Sequence, residues 1–396
     1  MTIQHDLPIA IIGAGLGGLT AALALQSAGF RPRIFEQATV LGDVGAGISM
    51  TPNATKGLES LGLGTALASV AMVPPQQIVC DGLTGNTLRI IDRSDVRERY
   101  GAAYYMLHRA DLHALLVAAV RAHDSAAIVT GRKLAAIGVG DDSVRLDFAA
   151  GGSIDTGSVN AEVVNAGVVI AADGSRSLVR AQVFGDAGAD FTGHIAWRLL
   201  VPAAAAPAAA RQPGSIVWAG PERSFVRYPI RNGALINCVG LTRSGAWRGE
   251  GWSQTVPAAT MAAEFAGWVP DVTDLIAAAP GGEVGSWGLF LRPPVDRLVC
   301  GPVALLGDAA HPMLPFMGQG AAMAIEDGVV LGRCFAIAAT PAEALQRYAD
   351  ARLTRVRMIQ DESAAGADRL QRAGPRLTRS EDDLGLFDYD PATAAV

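Results

Sequence analysis

Short apolar runs, each followed by a glycine turn and then a helix-length stretch, set the rhythm of the first half of this chain. Residues 7–12 form a run suited to a strand buried on both faces. It leads into Gly13-Ala14-Gly15-Leu16-Gly17-Gly18 and an apolar helix to about Ala28, which Gly29 closes as a C-terminal cap. A second strand, residues 33–35, ends at Glu36. Residues 41–53 are a glycine-rich stretch too apolar for a surface linker, read as a functional loop or as a tight crossover beneath the sheet. Residues 76–92 pattern as a hairpin turning at Thr84-Gly85-Asn86, and residues 104–116 pass from strand to helix. Residues 134–148 alternate like strands, and 168–172 are again a buried strand that delivers Asp173-Gly174 into a helix.

From about residue 191 to 287 the texture changes. Alternation over 194–201, 215–218, 224–230 and 234–241 predicts an antiparallel sheet, and the Ala/Pro-rich residues 202–213 read as an exposed loop. Residues 303–306 return to a buried strand, which turns at Gly307-Asp308, crosses a bend through Pro312 and Pro315, and enters a helix at Gly318-Gln319-Gly320. Residues 341–369 have helical periodicity, and 375–396 read as a loosely ordered tail. No internal repeat is present.

At 396 residues the chain is long enough for one large or two closely joined domains. With 50% hydrophobic and 18% charged residues it builds a globular core and is not a disordered chain. A net charge of -6 without a Lys/Arg cluster argues against a nucleic-acid partner. The four cysteines, Cys80, Cys238, Cys300 and Cys334, are isolated and lack metal-ligand spacing, so no metal is expected and they read as reduced thiols of a cytoplasmic protein. Residues 8–30 are apolar enough to resemble a membrane span, but the glycines at 13, 15, 17 and 18 and the non-basic start MTIQHD favour a buried strand and helix, with no membrane. All six tryptophans, Trp197, Trp218, Trp247, Trp252, Trp268 and Trp287, fall in the antiparallel region. They line a ligand pocket or simply fill a core.

The chemistry lies in the turns. In the strand-to-helix setting Gly13 allows the tight turn, Gly15 lets a pyrophosphate approach and Gly18 lets helix pack on strand. Glu36, 23 residues after Gly13, stands where an acid bonds both ribose hydroxyls. The helix entrance at Gly318-Gln319-Gly320 offers unpaired N–H groups and partial positive charge, which suits a ligand that accepts hydrogen bonds and becomes anionic, such as a reduced flavin. Arg109 can reach a phosphate or ring edge, or serve as a surface ion-pair partner. Asp173-Gly174 followed by Ser175 and Ser177 is also ordinary turn and N-cap chemistry. Along residues 223–230, Arg223, Phe225 and Arg227 share one face and Ser224, Val226 and Tyr228 the other. If the first face is inward, Arg227 can pair with a substrate carboxylate; if the second, Tyr228 can bond a phenol.

Taken together, Gly13-x-Gly15-x-x-Gly18, Asp173-Gly174 and GDAAHPMLPFMGQGAAMAIEDG from Gly307 resemble the single-component FAD-dependent aromatic hydroxylases, the flavoprotein monooxygenases that include salicylate, hydroxybenzoate and hydroxynicotinate hydroxylases. The likeness spans about residues 7–370. It implies an α/β fold with a Rossmann-like FAD-binding domain of the glutathione-reductase type (1–75, 101–185 and 296–340), an interleaved antiparallel-sheet substrate domain (76–100 and 186–295) and C-terminal helices and tail (341–396). It implies FAD held by Gly13, Gly15, Gly18, Glu36, Gln37, Gly47, Arg109, Asp173, Asp308, Gly318, Gln319, Gly320 and Ala321. NADH or NADPH would bind transiently, since no second G-x-G-x-x-G is present. The implied reaction places one oxygen of O₂ on a small aromatic acid or phenol through a flavin C(4a)-hydroperoxide. Arg227, Tyr228 and Pro315 are its catalytic candidates, and Ser49, Trp197, Arg223 and Phe316 its substrate-binding candidates. His311 is either a base or structural. Ser49 and Trp197 fall where some hydroxynicotinate-type relatives carry histidine, which puts salicylate or another hydroxybenzoate ahead of a hydroxypyridine carboxylate. An epoxidase or hydroxylase of an isoprenoid or polycyclic metabolite is the other enzymatic alternative. The W-x-W-x-I-P segment of flavin halogenases and the F-x-G-x-x-x-H-x-x-x-W-P segment of Baeyer-Villiger enzymes are missing. A monomer or homodimer is expected.

Overall fold

Strands buried on both faces need cover on both, and the first half of the chain supplies it by alternating strands with helices. A computed structural model describes residues 3–42, 46–140, 143–149, 162–186, 188–247, 253–371 and 381–396. Trp252, residues 43–45 of the glycine-rich stretch and residues 375–380 of the tail lie outside the described residues. The chain begins with Ile9–Ile12 (β1), Leu16–Ser27 (α1), Arg33–Phe35 (β2), Gly47–Met50 (β3), Pro52–Ser60 (α2), Gly64–Val70 (α3), Gln76–Asp81 (β4), Thr87–Asp92 (β5) and Val96–Tyr100 (α4). It continues through Tyr105–His108 (β6), Arg109–His123 (α5), Ile128–Val129 (β7), Leu134–Val139 (β8), Val144–Phe148 (β9), Glu162–Ala166 (β10), Val168–Ala171 (β11) and Leu178–Phe184 (α6). Next come Asp190–Pro202 (β12), Ser215–Gly220 (β13), Arg223–Ile230 (β14), Leu235–Arg243 (β15), Ser253–Pro257 (β16), Ala258–Glu264 (α7), Pro270–Ala277 (α8) and Glu283–Leu291 (β17). Val299–Cys300 (β18), Val303–Leu305 (β19), Gly320–Ile337 (α9) and Pro341–Leu370 (α10) complete it.

The first sheet has the order β18-β19-β11-β1-β2-β7, parallel except for β18. Helix α1 is apolar around its circumference and is buried along nearly its whole length. It crosses α9 at small residues: a Cβ on Gly328 would stand 2.7 Å from Ala21 N, and one on Gly332 2.5 Å from Ala24 Cβ. A three-stranded sheet, β10-β9-β8, packs beside the first, with the Phe35 and Phe148 rings 4.8 Å apart.

The second sheet has the order β16-β17-β12-β15-β14-β13-β4-β5 and is antiparallel except where β13 joins β4. The predicted hairpin at 76–92 forms its edge. One face is covered by α7 and α8 through Phe225, Met261, Phe265, Trp268 and Leu275. The other face meets β3, where a Cβ on Gly47 would come within 2.7 Å of the Tyr228 ring and 2.6 Å of the Asn237 side chain.

Residues 202–213 are mostly exposed, as expected, although Ala208–Arg211 is a 3-10 turn and Ala206 and Ala210 are buried in the helix-covered core. The described end of the chain, residues 381–396, is not loose, contrary to expectation. Glu381 pairs with the buried Arg93 at 2.6 Å, Leu386 and Phe387 are buried, and Arg333 holds the Ala394 carbonyl at 2.7 Å. Among the described residues no helix is long and apolar enough to cross a membrane, and no cluster of three or more His, Cys, Asp or Glu is placed to hold a metal ion.

Candidate active site

Three turns emerge at the carboxyl ends of the neighbouring parallel strands β1, β11 and β19, the edge where such sheets place ligands. Gly13 has φ +101°, and a Cβ there would stand 2.4 Å from the Ala172 carbonyl oxygen, beside Asp173. A Cβ on Gly18 would stand 2.1 Å from the Gly13 carbonyl oxygen, so helix and turn meet backbone to backbone. Gly15 differs, since nothing lies within 4 Å of its Cβ position and no side chain caps α1 there. Open space over an uncapped helix start is the shape a pyrophosphate requires. Glu36 is locked against this loop: its Oε2 accepts from Ala14 N and its Oε1 from Ala38 N, each at 2.8 Å, and each oxygen keeps a lone pair for a hydroxyl. His113 also touches the loop, its Nε2 lying 2.8 Å from the Ala14 carbonyl. Gln37 is exposed beyond Glu36.

The second turn is capped from within. Asp173 Oδ2 accepts from Leu178 N at 2.8 Å and Val179 N at 3.2 Å, while its Oδ1 is buried without a partner. Burial pushes this carboxyl up from its ordinary range, with the hydrogen bonds opposing. Arg180 ties the second turn to the third, donating to the Ala310 carbonyl at 2.9 Å and pairing with Asp186 at 2.5 Å.

The third turn contains Gly307 at φ +61° and Gly318 at φ +64°, with open space beyond Gly318. Asp308 is exposed, its Oδ1 3.9 Å from the Cβ position of Gly320. In α9 the first intrahelical bond runs from Met323 N to Gln319 O, so the N–H groups of Gly320 and Ala321 precede it. Gln319 turns inward: its side chain is buried and bonded to Thr51 and Asn53, which leaves only its backbone for a ligand.

Beneath this turn lies a buried ionic network. Asp327 accepts from Gly307 N at 3.0 Å, His311 Nε2 at 2.6 Å and Arg352 Nε at 2.7 Å. Glu326 accepts from Arg352 and Arg355, each at 2.7 Å, and from Asn53 at 2.6 Å. Burial alone would raise the Asp327 carboxyl, but the charges of His311 and Arg352 outweigh it and hold it at about 2. His311 is therefore tied down inside the fold.

The large sheet decides the substrate candidates. Strand pairing puts Arg227 opposite Cys238 and Ile216, on the α7/α8 side, where it is buried and donates to the carbonyls of Ala209, Gln212 and Gly214 at 2.7–3.3 Å. Its guanidinium is committed to the 208–214 turn, on the side of the sheet away from Tyr228. Trp197 lies on the same side, its Nε1 bonded to Thr242 Oγ1 at 2.9 Å, as does Arg223 two residues from Phe225. Both thus lie on the side of the sheet away from Tyr228. Tyr228, Asn237 and Leu200 share the opposite face, toward β3. Around Tyr228 gather Tyr104, Met106 and Met323, with Met313 and Met317 against them. Ser49 bonds the Tyr104 hydroxyl. Pro315 and Phe316 form a 3-10 turn above this face, the Phe316 ring meeting His194 edge-on at 5.6 Å. Arg109 opens α5, its N–H bonded to Ala46 O at 2.9 Å.

Beside Ala46 the same face holds a cavity of about 250 Å³, lined by Arg198, Leu200, Asn237, Glu283 and Trp287. Sequence reasoning missed Asn237, whose Oδ1 accepts the Gly47 N–H at 2.7 Å, and the Glu326-Asp327 pair. Two adjacent carboxylates inside the apolar run AAMAIEDGVVLG were a legible signal, because ions in such a setting are buried only when paired.

Loop convergence, the open cradle at Gly15 and the uncapped starts of α1 and α9 fit FAD. A family profile described as FAD binding domain matches residues 6–363. The chain is 39% identical to a 3-amino-4-hydroxybenzoate 2-monooxygenase of Streptomyces platensis, over 90% of this chain and 86% of that one. It is 35% identical to a 6-hydroxynicotinate 3-monooxygenase of Bordetella bronchiseptica, over 98% of this chain and 96% of that one. Among solved structures it is similar to Klebsiella pneumoniae HpxO complexed with FAD and uric acid, with TM-score 0.79, 27% identity and coverage of 96% and 92%.

Proposed function

Because the chain belongs to the FAD-binding family of single-component aromatic-ring monooxygenases, we propose that it hydroxylates a small aromatic acid of the hydroxybenzoate or salicylate type, using NAD(P)H and O₂. Bound FAD supplies the redox chemistry, taking a hydride from NAD(P)H and activating O₂ for transfer of one oxygen atom to the ring. The chain binds, orients and excludes water. Gly13, Gly15 and Gly18 cradle the pyrophosphate and Glu36 the adenosine ribose. Asp308 takes the ribitol chain, and the backbone of Gly318, Gln319, Gly320 and Ala321 meets the polar edge of the ring. In this reading the coenzyme half is Rossmann-like, of the glutathione-reductase type, assembled from residues 1–75, 101–185 and 296–340. Residues 76–100 and 186–295 cover the substrate, and 341–396 close the site from behind. Gln37, Gly47, Arg109 and Asp173 act as supports of the coenzyme, and Ser49, Pro315 and Phe316 as walls of the substrate site.

The observation that carries this reading is the meeting of three separate turns at adjacent strand ends, facing a sheet whose near side presents Tyr228. Burial raises the Tyr228 hydroxyl well above its ordinary range, so it faces a substrate as a neutral phenol able to donate or accept a hydrogen bond. A single-ring acid is favoured over a polycyclic or isoprenoid substrate by the 3-amino-4-hydroxybenzoate and 6-hydroxynicotinate monooxygenase relatives. A hydroxypyridine carboxylate is the second reading, favoured by the 6-hydroxynicotinate 3-monooxygenase relative. We place the enzyme in the cytoplasm, as a monomer or homodimer. The test is NADH consumption by the FAD-loaded protein against a panel of hydroxybenzoates, salicylate and hydroxynicotinates, with product masses recorded. Stimulated consumption with a product one oxygen atom heavier, or one with its carboxylate replaced by hydroxyl, is expected; no stimulation by any of them rules the reading out.

A further inference from the structure

We propose that Asn237 is a positioning residue for oxygen transfer: it clamps the start of β3 to the Tyr228 face of the large sheet and so sets how far the substrate ring stands from the coenzyme. This inference rests on the function proposed above and adds to it the contact that keeps the two halves of the site in register. Gly47 N donates to Asn237 Oδ1 at 2.7 Å, across 190 positions of sequence. Asn237 lies in β15 opposite Leu200 and Tyr228 and shares their face. Only a glycine permits this approach, because a Cβ at position 47 would stand 2.6 Å from Asn237 Cγ and 2.7 Å from Tyr228 Cε2.

The other flank of the same backbone is held from the opposite direction. Gly47 pairs with His108 in β6, and the Arg109 N–H at the start of α5 donates to the Ala46 carbonyl at 2.9 Å. Two residues further along β3, Ser49 bonds the Tyr104 hydroxyl, in the cluster that surrounds Tyr228. Asn237 is only 1% exposed, and its Nδ2 is buried without a partner, so Oδ1 is the working end of the amide. A leucine would fill this place without leaving a donor unmet, and the link to Gly47 is what it would lack. Reduction of the coenzyme by NADH does not need the substrate carbon in place. Oxygen transfer does, and it falls off steeply with a misplacement of about 1 Å. A loosened clamp therefore leaves NADH oxidation running while less oxygen reaches the ring: NADH, a proton and O₂ then give NAD⁺ and hydrogen peroxide in place of NAD⁺, water and hydroxylated product.

FAD-loaded wild type, Asn237→Leu and Asn237→Asp are compared with the acid of the hydroxybenzoate, salicylate and hydroxynicotinate panel that wild type turns over best. NADH consumed, peroxide and product are recorded, and hydrogen exchange of the Gly47 amide is followed in the three apoproteins. Leucine removes the acceptor, whereas aspartate keeps an acceptor oxygen and deletes only the unpaired donor. For Asn237→Leu the ratio of peroxide to product should rise about two- to tenfold, as for loss of one net hydrogen bond, and the Gly47 amide should exchange faster by a similar factor. NADH consumption per bound FAD should hold, and Asn237→Asp should stay near wild type in every readout. A fold defect alone would instead lower NADH consumption and product together. Asn237→Ala, which opens space instead of filling it, repeats the comparison if the leucine is not accommodated. A wild-type peroxide ratio in Asn237→Leu, equal failure of Asn237→Asp, or Gly47 exchange alike in all three removes the clamp while the hydroxylase reading stands. If wild type turns over no acid of the panel, both fall.

Discussion

His311 Nε2 and Asp327 Oδ2 lie 2.6 Å apart, both side chains fully enclosed, and the same oxygen accepts the Gly307 N–H that shapes the turn before Asp308. Through Arg352 this contact continues to Glu326, and through Asn53 to Gln319, so two adjacent carboxylates of α9 brace both ends of the third turn. Asp327→Asn keeps the shape and removes the charge that Arg352 and His311 face. Breaking a buried pair on one side costs about 3–5 kcal/mol. The variant should melt well below wild type and release FAD more readily. A wild-type melting temperature would show that the network carries no such load.

The same carboxylate sets an acid limit. Its folded value of about 2 lies below the ordinary 3.8, so its stabilisation is fully present above pH 4 and is lost as pH falls from about 4 to 2. The amount is about 2 kcal/mol at about 1.4 kcal/mol per unit. Denaturant midpoints measured between pH 5 and 2 should fall more steeply for wild type than for Asp327→Asn. Parallel curves would remove Asp327 as the cause.

Gly15 and Gly18 should separate ligand binding from folding. Gly15 has φ −72° and open space at its Cβ position, so Gly15→Ala fits the fold while its methyl intrudes where the pyrophosphate lies. Gly18→Ala instead drives a methyl to 2.1 Å from the Gly13 carbonyl oxygen. Gly15→Ala should keep its melting temperature as apoprotein and bind FAD at least tenfold more weakly, about 1.4 kcal/mol. Gly18→Ala should lose stability outright. Equal effects on both properties in the two variants would contradict this division.

How much of this was legible in the sequence depended on what fixes each feature. Period and turn chemistry are local, so β1, α1, the 76–92 hairpin and the strands around 224–241 were readable, as were the glycines at 13, 15 and 18. Which face of β14 looks at the coenzyme is decided by β3 and α7, far away in the chain, and alternation leaves it open. Arg227 and Trp197 turn out to share the α7/α8 face, opposite Tyr228, which alternation alone could not tell. The tail was misread because its anchors, Arg93, Lys56 and Arg333, lie far from it in sequence.

Arg227 and its neighbour Tyr228 should respond in opposite ways. Arg227→Met leaves the carbonyls of Ala209, Gln212 and Gly214 without donors in a buried turn, at a cost of about 3 kcal/mol. It should lower the melting temperature without changing the Kd of an aromatic acid. Tyr228→Phe removes one hydroxyl on the other face and should keep stability while weakening acid binding or turnover. A raised Kd in a stable Arg227→Met would return that residue to the substrate side.

Asp308 tests the coenzyme assignment most directly, because the fold makes little use of it. It is exposed at the tip of a 3-10 turn whose shape comes from Gly307 at φ +61° and from Asp327 beneath, so Asp308→Ala removes a carboxylate without opening the core. A hydrogen bond from a hydroxyl to a charged acceptor contributes about 1.5–3 kcal/mol, or about 10- to 150-fold in affinity. Asp308→Ala should therefore purify largely colourless, rebind FAD weakly, and melt as wild-type apoprotein does. Asp308→Asn, which still accepts a hydrogen bond but lacks the charge, should fall between the two. If Asp308→Ala retains a full yellow complement of FAD through gel filtration, the ribitol chain is held elsewhere and the orientation of the coenzyme across the third turn has to be redrawn.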